Sequence, residues 1–121
     1  MYIHIPYCTK KCGYCSFYSV ESAGVPDLYI EALTAFIKHY RKQYGAPETL
    51  YIGGGTPSLL TPAQLNSIME AAQPAPGAEV TLELNPDSTS MRTLGFAKRM
   101  GINRLSIGVP APERVSEMRR Q

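Results

Sequence analysis

The sequence predicts an α/β fold in which about four parallel strands alternate with about three helices. Two patterns carry that expectation. Short β-rich runs at Tyr2 to Ile5, Thr49 to Ile52, Glu79 to Leu84 and Asn103 to Val109 mostly end at glycine or proline, and between them lie longer stretches with apolar residues at helical spacing. A third observation points to chemistry. Every cysteine of the chain falls in the loop that follows the first strand.

The first strand, Tyr2 to Ile5, is stopped by Pro6 and delivers the cysteine loop from its carboxyl end. Cys8, Cys12 and Cys15 are separated by three residues and then by two. A cubane iron–sulfur cluster usually takes four thiolates, so a loop supplying three leaves one iron without a protein ligand. That iron is a place to bind something. Gly13, just after the second cysteine, relaxes the backbone where a loop wrapping a cluster must turn. Zinc is the competing reading, since His4 and the cysteines could form a Cys3His site. His4, however, sits inside an alternating strand, a poor place from which to reach the loop. Thiols that merely pack have no reason to cluster at this spacing, and nothing marks a secreted, disulfide-bonded protein.

After a turn around Ala23 to Pro26, Asp27 can cap a helix whose apolar side reads Tyr29, Leu33, Phe36, Ile37, Tyr40 and Tyr44. Gly45 and Pro47 end it, and Lys38, Arg41 and Lys42 form a solvated face that complements the helix dipole. The second strand runs directly into Gly53-Gly54-Gly55-Thr56-Pro57-Ser58. Glycines at a strand's carboxyl end let backbone approach a ligand and offer their amides and carbonyls. The segment lacks the lysine and spacing of a phosphate-binding loop and does not match the dinucleotide fingerprint.

Thr61 and Gln64 frame Pro62 as a capping box that opens a second helix, with Leu65, Ile68, Met69 and Ala72 facing the core. Pro74, Pro76 and Gly77 break the chain before the third strand. That strand alternates, with Val80, Leu82 and Leu84 on one side and Thr81 and Glu83 on the other. Glu83 lies near the carboxyl end, where barrel-like α/β folds assemble ligand sites, although an exposed edge carboxylate accounts for it equally well. Asn85 reads as a turn residue. A third helix over Ser90 to Met100 packs through Met91, Leu94 and Ala97, is weakened by Gly95 and stops at Gly101. Asn103 to Val109 completes the set of strands.

The chain has 121 residues, of which 44% are hydrophobic and 18% charged, enough for a core in one small domain or part of a larger one. A formal net charge of +2 gives no sign of a nucleic-acid partner. No apolar run is long enough to span a membrane and no signal peptide is evident. A reducing cytoplasm fits, and it keeps cluster thiols available.

The run Tyr2-x-His4-Ile5-Pro6-Tyr7-Cys8-x-x-x-Cys12-x-Tyr14-Cys15 resembles the opening of the radical S-adenosylmethionine (SAM) superfamily, specifically the oxygen-independent coproporphyrinogen III oxidase family with its haem-chaperone branch. The chaperone branch is the closer resemblance, because Phe17 stands where the oxidase branch has a further cysteine. The resemblance implies the amino-terminal part of a partial (β/α)6 TIM-like barrel. It also implies a [4Fe–4S] cluster on Cys8, Cys12 and Cys15 whose open iron takes the methionine part of SAM, yielding a 5′-deoxyadenosyl radical on reduction. Gly54, Gly55 and Thr56 correspond to the segment that holds the SAM amino group, and Glu83 to the glutamate that binds its ribose hydroxyls. Tyr2 and Tyr14 correspond to positions bordering SAM, and His4 is read as structural.

The resemblance covers residues 1–109. At Pro110 it calls for a glutamine, and residues 110–121 form a divergent tail. A complete partial barrel of this kind needs about 180 residues or more, so the chain is expected to be an amino-terminal fragment that is inactive alone. The implied partners of the intact protein are haem or a porphyrinogen, an electron donor and a haem-acceptor protein. Three functions remain open: a haem chaperone, a coproporphyrinogen III oxidase, and a small zinc-binding module.

Overall fold

The computed structural model describes residues 1–8, 20–21, 24–84 and 91–107. The expectations on Gly13, Tyr14, Phe17, Asn85, the tail from Pro110, and the loop cysteines Cys12 and Cys15 lie outside these residues, as do Ser90 and the last residues of the predicted fourth strand.

Strand β1 (Tyr2–Ile5) is followed by a two-residue strand β2 (Tyr7–Cys8), which pairs in parallel with β3 (Val20–Glu21). Helix α1 (Asp27–Tyr44), strand β4 (Thr49–Gly54), a 3-10 turn (Pro57–Leu59), helix α2 (Pro62–Ala72), strand β5 (Glu79–Leu84), helix α3 (Met91–Arg99) and strand β6 (Arg104–Ile107) follow. The main sheet has the order β1-β4-β5-β6 and is parallel throughout. Each step to a neighbouring strand passes through a helix, which is what a parallel sheet requires. This is the predicted α/β architecture of a partial TIM-like barrel.

Strand periodicity decides the two faces of the sheet. Ile3, Ile5, Leu50, Ile52, Val80, Leu82 and Leu84 are buried and form one cluster with Ile30, Ile37, Leu65, Ile68, Met69 and Ala97 from the helices. The core therefore lies between one sheet face and the helix layer. The alternate residues Tyr2, His4, Tyr51, Gly53, Thr81, Glu83 and Ser106 stand on the opposite face, which corresponds to the interior of a barrel.

The capping box of α2 is present as predicted. The Thr61 side chain accepts from the Gln64 amide at 3.1 Å, and Gln64 Oε1 accepts from the Thr61 amide at 3.0 Å. Gln64 does more than close the box: its Nε2 donates to Val25 O at 2.7 Å and to Asp27 Oδ1 at 2.9 Å, tying α2 to the start of α1. Asp27 is accordingly the first residue of α1 rather than its cap. Pro26 holds the cap position and makes no side-chain bond there.

The α1 stripe also differs from expectation. Ile30 and Ile37 are the buried residues, whereas Phe36 and Tyr44 are each 66% exposed. Helices α1 and α2 pack against each other, whereas Tyr29, Phe36 and Tyr40 line a hollow with Met1, Tyr2, Ile3 and His4. Arg41 is not simply solvated either, because its Nε donates to Ala72 O at 3.0 Å and thus satisfies a carbonyl at the carboxyl end of α2. In α3, Ala97 is buried but Met91 is 84% exposed, so Met91 lies outside the packing stripe assigned to it.

Candidate functional site

The glycine segment at the end of β4 crosses the chain that leads into the cysteine motif. Gly55 N donates to Ile5 O at 2.7 Å, and Thr56 N donates to Tyr7 O at 2.8 Å. A Cβ on Gly55 would lie 2.7 Å from Tyr7 O, and one on Gly54 would lie 2.6 Å from Ile5 O. Gly54 also has φ +121, a conformation that side-chain-bearing residues rarely adopt. The glycines are therefore required by an approach of backbone to backbone. They fix Tyr7, and with it the backbone of Cys8, against the carboxyl end of β4. The expectation that this segment offers its own amides is corrected: those of Gly55 and Thr56 are consumed by the chain's own carbonyls.

On the barrel-interior face, Tyr2 pairs across the ladder with Tyr51, His4 with Gly53, and Glu83 with Ser106. Tyr51 Oη donates to Glu83 Oε2 at 2.6 Å. The Tyr2 and Tyr51 rings stack with centroids 5.7 Å apart and planes 20° apart. Tyr2 Oη and His4 Nδ1 are 3.2 Å apart. Gly53 sits among these groups, and a Cβ there would meet Tyr51 Cε1 at 2.7 Å, Glu83 Oε2 at 3.1 Å and Tyr2 Oη at 3.2 Å. Tyr2, 59% exposed, forms the open side of the cluster.

Of the residues singled out from sequence, Tyr2 and Glu83 thus share one polar cluster, and Gly54, Gly55 and Thr56 lie beside the start of the cysteine motif at the same end of the sheet. Cys8 belongs to β2, where its backbone pairs with Glu21. Tyr51 was not singled out. Its signal was the alternation of β4, which puts Tyr51 and Gly53 opposite Leu50 and Ile52 and hence on the face of Glu83.

The phenols here hold their protons more tightly than a free tyrosine. For Tyr51 the chief cause is the bond donated to Glu83, and for Tyr2 and Tyr29 it is burial. Tyr29 is anchored by donating to His4 O at 2.5 Å. A folded-state pKa above the unfolded one contributes stability that is complete below the unfolded value, near 10, and is lost as pH rises through the folded value. Urea midpoints should therefore fall as pH rises above about 9, and Tyr51→Phe should reduce the fall. Equal loss in wild type and variant would remove Tyr51 from that account.

Among the described residues, no group of three or more His, Cys, Asp or Glu side chains is arranged to hold a metal ion. Nor is any described helix long and apolar enough to cross a membrane.

The radical SAM superfamily profile matches residues 2–121. The heme chaperone HemW of Escherichia coli (strain K12) is 38% identical over 117 residues, a match covering 90% of this chain and 31% of that protein. Radical S-adenosyl methionine domain-containing protein 1, mitochondrial, of Bos taurus is 40% identical over 120 residues, covering 90% of this chain and 26% of that protein. The structure of coproporphyrinogen III oxidase (HemN) from Escherichia coli, described as a radical SAM enzyme, superposes with a TM-score of 0.77 at 31% identity, covering 89% of this chain and 27% of that one. The chain thus spans less than a third of the length of each.

Proposed function

The chain belongs to the radical SAM superfamily, and on that premise we propose that it is the cofactor-binding portion of a haem chaperone that binds haem and delivers it to an acceptor protein. The observation that carries the proposal is the crossing of Gly54 to Thr56 over Ile5 to Tyr7, immediately before Cys8, at the end of the sheet where Glu83 and Tyr2 converge. Similarity to the chaperone named HemW, over nearly the whole of this chain, supports the choice of chaperone.

The residues present fit the two cofactors that the superfamily implies. Gly53 is a cradle in which even one Cβ would crowd Glu83, Tyr51 and Tyr2, so the polar face stays open beside a carboxylate. A carboxylate can accept two hydrogen bonds from a ribose diol. Cys8, Cys12 and Cys15 would hold a [4Fe–4S] cluster, and three thiolates leave one iron for SAM. When bound, cluster and SAM together supply one-electron chemistry that the protein lacks on its own.

The chain's own part is placement. Thr56 and Gly55 spend their amides on Tyr7 and Ile5, so carbonyl oxygens are what the segment offers to the methionine ammonium group. Glu83 orients the ribose. Tyr2 presents an exposed ring and Tyr14 is assigned to the same border. His4 lies next to Tyr2 and serves as structural support. Residues 1–109 form the cofactor-binding unit in this reading and residues 110–121 a distinct tail. Cytoplasmic location, an electron donor and a haem-acceptor protein complete the proposal.

Similarity to the HemN structure favours one alternative, oxidative decarboxylation of coproporphyrinogen III. Titration of the complete protein with haem, beside an anaerobic assay of coproporphyrinogen decarboxylation, separates the two. Stoichiometric haem binding without decarboxylation is expected. Turnover of coproporphyrinogen would replace the chaperone reading with the oxidase, and stoichiometric zinc with no iron would replace both.

A further inference from the structure

Glu83 alone is a flexible acceptor, because a glutamate side chain must surrender rotamer freedom before it can meet a vicinal diol. In this chain that freedom is already spent. Tyr51 Oη donates to Glu83 Oε2 at 2.6 Å, a short charge-assisted bond. The Tyr51 ring is itself held by stacking on Tyr2 at 5.7 Å. Gly53 leaves the space into which the Tyr51 ring edge leans, with Cε1 only 2.7 Å from where a Cβ would be. The carboxylate is thus set by residues from β1 and β4, while its own residue lies on β5.

We propose that Tyr51 is a positioning residue that fixes the Glu83 carboxylate for a ribose diol, engaging one oxygen from the side so that the remaining lone pairs face the ligand already oriented. This rests on the reading of Glu83 as the ribose acceptor and adds the residue that aims it. Tyr51 does not itself touch the ligand. Its effect is confined to the diol and is absent for a nucleoside that lacks one of the two hydroxyls.

The test is calorimetric binding of S-adenosylhomocysteine and of its 2′-deoxy analogue to the full, anaerobically reconstituted chain and its variants. Tyr51→Phe keeps the ring on Tyr2 and removes only the hydroxyl, so thermal melting should show the fold retained. It should weaken S-adenosylhomocysteine about five- to tenfold and leave the 2′-deoxy analogue within about twofold of wild type. Glu83→Gln should weaken S-adenosylhomocysteine and abolish the preference for the intact ribose. If Tyr51→Phe weakens both ligands equally, or neither, while Glu83→Gln abolishes the preference, the positioning role is wrong and the ribose reading stands. If Glu83→Gln leaves affinity and preference unchanged, the ribose reading fails and the positioning role goes with it.

Discussion

Gly54→Ala is expected to destabilise the chain by about 3 to 5 kcal/mol and to prevent cluster loading. Two independent faults add at this position. The backbone sits at φ +121, and a Cβ would lie 2.6 Å from Ile5 O and 2.9 Å from Ile5 N. Neither contact is with the far end of a flexible side chain, so relief requires β1 and β4 to separate. Separation also threatens the bonds from Gly55 N to Ile5 O and from Thr56 N to Tyr7 O, which hold the entry to the cysteine motif. Against a typical domain stability of about 5 to 15 kcal/mol, such a loss is severe. Urea denaturation followed by circular dichroism measures the first effect, and iron content after reconstitution measures the second. A variant with wild-type midpoint and iron content would show that the crossing is not what fixes Cys8.

Cys12→Ala is expected to abolish cluster assembly altogether. Three thiolates already leave one iron to an external ligand, and two thiolates would leave half of a cubane unheld. The loss should be chemical rather than structural: far-UV circular dichroism should stay close to wild type, because among the described residues Ile3, Ile5, Leu50, Ile52, Val80, Leu82 and Leu84 already form a core with the helices. Iron and acid-labile sulfide per chain provide the readout. A full complement of both in the variant would contradict the ligand assignment, and stoichiometric zinc in the wild type would favour the zinc module.

Local patterns in the sequence were sufficient for the strand and helix order of the main sheet, though not for the short β2–β3 pair, and for the capping box of Thr61 and Gln64 and the placement of Glu83 opposite Val80, Leu82 and Leu84. These depend on periodicity and on contacts between near neighbours. What escaped the sequence depended on partners distant along the chain. Asp27 looks like a helix cap until Gln64, from another helix, claims its carboxylate at 2.9 Å. The predicted apolar side of α1 was right at Ile37, but it ran on through Phe36 and Tyr44, which are exposed, and left out Ile30, which is buried. That Gly54 and Gly55 are also needed for a close approach of backbone to Ile5 and Tyr7 was not legible, because those residues are far away along the chain. Tyr51 read as an ordinary strand residue because its partner Glu83 is 32 residues away.

The most direct test of the central claim is Mössbauer spectroscopy of the chain reconstituted anaerobically with iron-57, before and after addition of SAM. Three cysteine ligands and one open site predict a [4Fe–4S] cluster in which one iron changes its signal when SAM binds and the other three do not. Mononuclear iron, or a cluster whose spectrum is indifferent to SAM, would contradict it.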